Sequence, residues 1–291
     1  MTYQDSQVRR HRATPEEMEA RAEFLISYAL EHGPVTVRGL FYAATVAGLP
    51  SITKDEAGYN KVQSQVLDLR RSGRLPYETI SDQTRYMRKP STHAGWIHAL
   101  KIAAKNYRKD LWSSSAERVE IWLEKAALAG VVFPVTAKYD VPLMPTGGYC
   151  SETFAHDAVL EMRYTGKTLV IYTLYDFDRS GKDAEASLQE KVERFGRKYG
   201  VPVTFSSIGL SLGQVQAHAL PTRPPKRNTS ADQRWPYDFA VELDAMPPDD
   251  LRNLVGDIIE AHLPKDKFAI LKKVEEIERE AFLEFAEGAV R

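Results

Sequence analysis

The sequence predicts an α/β protein in two parts: a small basic helical unit, then a mainly parallel sheet flanked by helices. Three observations predict it. Thr168 to Leu174 is an apolar run with the length and β-branched content of a buried strand, and a helical pattern follows it from about Asp183. Val119 to Ala129, VEIWLEKAALA, repeats the order of short strand and helix start, and strands alternating with helices build parallel sheets. The stretch before them, Thr14 to Arg85, carries helical periodicity and turn signals instead. The boundaries expected are 1–92 for the helical unit, 93–115 for a connecting helix and 116–291 for the sheet domain with its C-terminal helices.

In chain order, Thr14-Pro15-Glu16-Glu17 is a helix start, with an N-cap, a proline at the first position and acids in the first turn. Phe24, Leu25, Tyr28 and Ala29 continue that helix to Gly33-Pro34. A second helix is expected over Thr36 to Ala47, with Arg38 four residues before Tyr42 on one face. A third runs Tyr59 to Arg71, with Val62, Val66 and Leu69 inside and Gln63, Gln65, Arg70 and Arg71 outside. Gly73 to Pro76 leads into an expected wing, Tyr77 to Ser81. Three helices and a basic wing suggest a winged helix-turn-helix. Ala94 to Asp110 reads as the connecting helix.

From Lys61 to Lys109 there are eleven Lys or Arg against three acids, in a chain whose net charge is only −1. Tyr77, Tyr86, Trp96 and Tyr107 are interleaved with them. A phosphate backbone is the partner such a stretch suits, with Arg70, Arg71, Arg74, Arg85, Arg88 and Lys89 as expected contacts to double-stranded DNA.

In the sheet domain the chemistry concentrates at strand ends. Asp176 and Asp178 follow the Thr168–Leu174 strand, then Gly181. Residues i and i+2 share a strand face, so both carboxylates can point at one spot. Glu124 ends the earlier strand. Open α/β sheets place ligands at such ends. Hard oxygen ligands without His or Cys beside them suit Mg²⁺. Asp183 is expected as a helix N-cap. Met144 to Ser151 is a Gly-rich loop beside the acids. Gly166-Lys167-Thr168 resembles the end of a phosphate-binding loop, but position 161 is Glu and a strand follows, so ATP hydrolysis is not expected. Val203 to Ile208 is a further strand. Pro221 to Pro236 is a Pro- and Arg-rich loop, read as a linker or a DNA-contacting flap. Asp238 to Asp244 continues apolar, Pro247 opens a helix through His262, and Pro264 to Ala286 is a charged final helix with Ile270, Val274, Ile277 and Ala281 on one stripe. That stripe is expected to pack on its own domain, with a dimer contact as the alternative.

Composition excludes other classes. Hydrophobic content of 43% and charged content of 27% are those of a soluble globular chain. No apolar run approaches membrane-helix length, and the N-terminal residues lack the apolar core of a signal peptide, so a cytoplasmic, nucleoid-associated location is expected. The single cysteine, Cys150, allows no internal disulfide. The histidines have no ligand spacing.

A lone Glu at one strand end and Asp-x-Asp-x-x-Gly at another resemble the Toprim domain of topoisomerases, primases and nucleases. Together with a winged-helix unit carrying Arg38-x-x-Phe41-Tyr42, the chain resembles the A subunit of topoisomerase VI and the related meiotic double-strand-break proteins, over roughly Thr14 to Leu263. It is most similar to compact bacterial and phage members. It is short, and Phe41 stands where many relatives have a second tyrosine. The resemblance implies Mg²⁺-dependent DNA breakage in which Tyr42 attacks the backbone, Arg38 holds the phosphate, and Glu124, Asp176 and Asp178 bind metal, with Glu124 also moving protons. It implies a homodimer in which Tyr42 of one protomer works against the acids of its partner, and it leaves room for an ATPase subunit supplied in trans. Two alternatives stay open on the residues alone: a hydrolytic Toprim nuclease and a non-catalytic DNA-binding protein.

Overall fold

A computed structural model describes residues 13–81, 90–230, 232–263 and 265–288. The N-terminal helices are α1 (Pro15–His32), α2 (Val37–Val46) and α3 (Glu56–Arg71). Each starts where the sequence offers an N-cap: Thr14 in a capping box with Glu17, Thr36 accepting from the Gly39 N–H, and Asp55 accepting from the Gly58 N–H. Val62, Val66 and Leu69 are the buried stripe of α3. Gln65, expected on its outer face, instead ties α3 to α1 by hydrogen bonds with Arg21 and the Met18 carbonyl. Tyr77–Thr79 is a 3-10 turn, closed by the Thr79 hydroxyl on the Pro76 carbonyl, and Ile80 makes a single parallel bridge to Val35. A two-stranded wing is therefore not formed within Tyr77 to Ser81. Its return strand would fall in 82–89, outside the described residues.

After α4 (Trp96–Lys105), the chain forms β1 (Glu117–Leu123), α5 (Ala129–Lys138), β2 (Leu143–Pro145), α6 (Glu152–Met162), β3 (Thr168–Leu174), α7 (Arg179–Tyr199), β4 (Val203–Ser207) and α8 (Leu212–Ala217). The four strands are all parallel, in the order β2-β1-β3-β4. Both faces are covered, so successive residues enter opposite cores. Val119, Ile121 and Leu123 of β1 join one apolar cluster, whereas Trp122, with Leu169 and Ile171 of β3, joins the cluster beneath α6 and α7. Two long helices, α9 (Pro248–His262) and α10 (Lys265–Gly288), complete the chain. No helix among the described residues is long and apolar enough to cross a membrane.

The helical unit shares its core with the sheet. Leu25, Leu40 and Val66 belong to the same apolar cluster as Val119, Ile121, Val255 and Ile259. Arg252 of α9 donates to the carbonyls of His32 and Pro34, and the Ser81 hydroxyl donates to that of Ala127. This docking brings α2 alongside the C-terminal edge of the sheet.

Candidate functional site

The chain leaves β1 toward β2 on one side and reaches β3 and β4 on the other. The crevice between the C-terminal ends of β1 and β3 is therefore a topological switch point, where open α/β sheets bind ligands. Glu124 directly follows β1, and Asp176 and Asp178 follow β3. The two strand ends are joined: the Glu124 N–H donates to the Leu174 carbonyl at 3.0 Å, and the Asp176 N–H donates to Glu124 Oε2 at 3.1 Å. A cleft of about 620 Å³ opens here, lined by Glu124, Asp176, Asp178 and Glu242, the cations Arg38, Lys125, Arg223 and Lys226, and Gly147, Gly148 and Ser180.

The spacing in Asp-x-Asp-x-x-Gly has a local cause. Asp178, not Asp183, is the N-cap of α7, and its Oδ1 accepts from the Gly181 N–H at 2.8 Å. The helix thus begins four residues before the expected start, and Asp183 pairs with Arg179 on its first turn. A Cβ on Gly181 would lie 2.6 Å from the Asp176 carbonyl oxygen, so glycine lets α7 start tight against the strand end. Gly147 and Gly148 occupy the left-handed region, φ 68° and 75°, in the turn that carries the β2 strand end past Glu124. The Gly147 N–H donates to the Glu124 carbonyl.

The carboxylates differ in their surroundings. Burial pushes Asp176 up to about 7, opposed by the Leu243 N–H on its Oδ1 and reinforced by Glu124 and Glu242. Burial also raises Glu124, against the Asp176 N–H and with the Asp178 charge adding to it. Asp178 has both oxygens engaged, since its Oδ2 accepts from Arg223 at 2.7 Å. Asp244 accepts from Thr36 Oγ1 at 2.5 Å and from Lys125 at 2.6 Å, so the N-cap of α2 is also its tether to the cleft. Burial would lower the Lys125 ammonium, but Asp244 and Glu242 outweigh it and raise it.

The donor set is all oxygen and carries excess buried negative charge at Glu124 and Asp176, which suits a hard divalent cation. Asp178 lines the same cleft with one hydrogen bond accepted on each oxygen, from the Gly181 N–H and from Arg223. Among the described residues no group of three or more His, Cys, Asp or Glu side chains is arranged to hold a metal ion. Glu124 and Asp176 accept from backbone N–H groups, of Asp176 and Leu243, and their oxygens are of the type that Mg²⁺ takes from one or two carboxylates while keeping water or phosphate oxygens in its remaining positions.

Arg38 and Tyr42 lie on α2 as their spacing predicts, but in different settings. Arg38 faces the cleft, with Nε 3.5 Å from Glu242 Oε2 and its guanidinium 4.0 Å above the Tyr59 ring. Tyr42 is only 4% exposed and packs in the core beside Phe41. Burial and then the charge of Glu242 push its phenol well above the ordinary value, while Arg38 and Arg223 act the other way. Arg38 thus lines the cleft of its own chain with Glu124, Asp176 and Asp178, and the acids whose charge reaches Tyr42 are Glu242 and Asp244.

Of the expected DNA contacts, Arg71 is exposed at the end of α3, Arg70 stacks 4.3 Å over the Tyr77 ring, and Arg74 forms a fork with Glu19. Arg85, Arg88 and Lys89 lie outside the described residues. Further along the basic stretch, Arg108 and Lys109 are paired with Glu275 and Glu278 of α10.

Sequence reasoning missed Lys125, Arg223, Lys226, Glu242 and Asp244. The Pro221–Pro236 segment is a built element and not a linker. Arg223 pairs backbone to backbone with Ala240, and Phe177 with Val241, while Arg227 donates to the carbonyls of Asp232, Gln233, Trp235 and Tyr237. Phe177, Trp235, Tyr237 and Phe239 stack beneath it. The available signal was Glu242-x-Asp244, a second acid pair two apart after an apolar run.

No protein-family model matches the chain, and no curated protein matches it.

Proposed function

We propose that this protein is a Mg²⁺-dependent enzyme that breaks double-stranded DNA at the switch-point cleft, in the manner of a topoisomerase VI A subunit built from a winged-helix unit and a Toprim-like domain. One observation carries the reading: Glu124 and Asp176 meet at the C-terminal edge of a parallel sheet, where burial raises both carboxyls against the pull of Lys125, and Arg38 lines the same cleft. Perturbed carboxylates in a cleft mark sites that handle charge or protons. Glu124 and Asp176 are the residues that would hold Mg²⁺, which when bound neutralises and polarises a phosphodiester. Arg38, Lys125 and Lys226 hold the DNA backbone. Arg223 keeps Asp178 and the α7 start in place.

In the first reading the Tyr42 oxygen attacks phosphorus as its proton passes to Glu124, the bond from phosphorus to the DNA strand's 3′ oxygen breaks, and Glu124 returns that proton to the departing 3′ oxygen, which leaves as a hydroxyl while the 5′-phosphate stays on the protein. This requires α2 to shift and uncover the phenol. Two chains then supply the two tyrosines of a double-strand break, as a C2 dimer matches the symmetry of the duplex backbone. An ATPase subunit in trans is the partner of a strand-passing version of this activity.

The burial of Tyr42 favours a second reading, in which water is the nucleophile and Tyr42 is a core residue. Incubation with supercoiled DNA and Mg²⁺, then denaturation with and without protease, separates them. Ends that enter the gel only after protease digestion support the tyrosine. Free ends support hydrolysis. Intact DNA leaves a non-catalytic DNA-binding protein and removes the enzyme reading.

A further inference from the structure

The final helix α10 has two faces with different fates. One is clamped to the chain leading out of α4. Glu275 accepts from Arg108 and the Lys109 N–H, Glu278 accepts from Tyr107 and Lys109, and Tyr107 stacks edge-on against Phe282. The other face carries the stripe Ile270, Val274, Ile277, Ala281 and Phe285, at spacings of four, three, four and four. Most of it is open: Ile270 is 63% exposed, Ile277 55% and Phe285 66%, Ala281 is exposed and Val274 is half-buried. A stripe of this spacing is a helix-pairing seam. The expectation that it packs on its own domain is not met.

The charges beside the seam are sorted along the helix. Lys267 and Lys273 are exposed in its first half, Lys273 3.5 Å from Glu276, and Glu280, Glu284 and Glu287 are exposed in its second. Lys273 and Glu280, seven apart, lie on the same flank of the stripe. Two such helices side by side in parallel would bring their acidic halves together. Antiparallel, with the two-fold between Val274 and Ile277, Ile270 faces the partner's Ala281, Val274 the partner's Ile277, and Lys273 lies beside the partner's Glu280. Like charges disfavour the first arrangement and opposite charges favour the second.

We infer that α10 is a self-association surface, pairing antiparallel with α10 of a second copy of this chain through Ile270, Val274, Ile277, Ala281 and Phe285. The contact is isologous, so one stripe complements itself and the assembly closes at two. It stands whatever chemistry the cleft performs.

Sedimentation velocity of the full chain without DNA, from low to high micromolar, tests it. The expected result is a monomer–dimer equilibrium. Ile277→Asp weakens it at least about tenfold, with helical content unchanged because the position is exposed, and Ile270→Asp does the same. Lys273→Glu weakens it by a smaller factor of about two to five, and adding Glu280→Lys restores it. A chain that stays monomeric overturns the inference, as does a dimer indifferent to both Asp variants. A charge-swapped double variant that associates less than Lys273→Glu alone overturns the antiparallel register.

Discussion

Two clusters of buried acids in this molecule make an instructive pair. Where α10 meets residues 106–109, burial alone would raise Glu275, but the Lys109 N–H, Lys272 and Arg108 outweigh it and hold the carboxyl below its ordinary value. The neighbouring Glu278 is lowered by Lys109 and Tyr107. At the switch-point cleft burial wins: Asp176 rises to about 7 and Glu124 rises with it. The residue types are the same, and the difference is burial together with where the cations go: at the cleft Lys125 and Arg223 pair with Asp244 and Asp178. The α10 cluster is a completed clamp. In the cleft the cations pair with Asp178, Glu242 and Asp244, and Glu124 and Asp176 accept from backbone N–H groups, the condition under which a metal or a transferred proton gains most.

The largest expected effect falls on the cleft's chemistry. Asp176→Ala should lower Mg²⁺-dependent plasmid cleavage by about a thousandfold or more, the scale of removing a group that stabilises developing charge. Glu275→Ala, which alters a buried acid outside the cleft, should leave the cleavage rate per folded molecule unchanged. Equal losses in both would erase the distinction.

Stability should respond in the opposite order. Glu275→Gln leaves Arg108 and Arg279 without a carboxylate, and urea unfolding should show a loss of about 1–3 kcal/mol. Asp176→Asn removes a buried charge, and in metal-free buffer at pH 8 it should stabilise the fold by about 1–2 kcal/mol. Destabilisation by Asp176→Asn would mean that its carboxylate is satisfied in the native state.

The clamp also has a pH signature. The folded-state pKa values of Glu275 and Glu278 lie below the unfolded ones, so their contribution is present above the ordinary glutamate range and is lost as pH falls through the folded values. Amide protection in α10, measured against the intrinsic exchange rate at each pH, should fall on acidification below about pH 4, before protection in β1 and β3 does. Simultaneous release of helix and sheet would argue against a separate clamp.

The smallest effect concerns DNA affinity. Arg71 is exposed, whereas Arg74 is already paired with Glu19. Arg71→Ala should flatten the slope of log affinity against log salt by about 0.9, and Arg74→Ala by less. An unchanged slope for Arg71→Ala would take α3 out of the DNA interface.

What was legible in the sequence follows from which interactions are local. The two β–α units, the α1 capping box, the Glu124 and Asp176 strand ends and the Arg38–Tyr42 spacing all rest on neighbours within a few residues. The start of α7 was misplaced because Asp183 and Asp178 are both plausible caps by type. The choice was made by Gly181, which fits against the Asp176 carbonyl. Arg223 and Lys125 were illegible because their partners are remote: Arg223 meets Asp178 across 45 positions and Lys125 meets Asp244 across 119. The burial of Tyr42 was hidden for the same reason, since it depends on how the α2 tether to Asp244 sets the helix against the 240–246 segment.

The most direct test of the cleft as a metal site is thermal unfolding of the wild type and Asp176→Asn across a Mg²⁺ titration, with Glu275→Gln as control. A ligand bound only to the folded state stabilises by about 2.7 kcal/mol at a hundred times its Kd. The wild type and Glu275→Gln should gain stability with Mg²⁺, and Asp176→Asn should gain none. Equal gains in all three, or none in the wild type, would contradict the assignment of Mg²⁺ to Glu124 and Asp176.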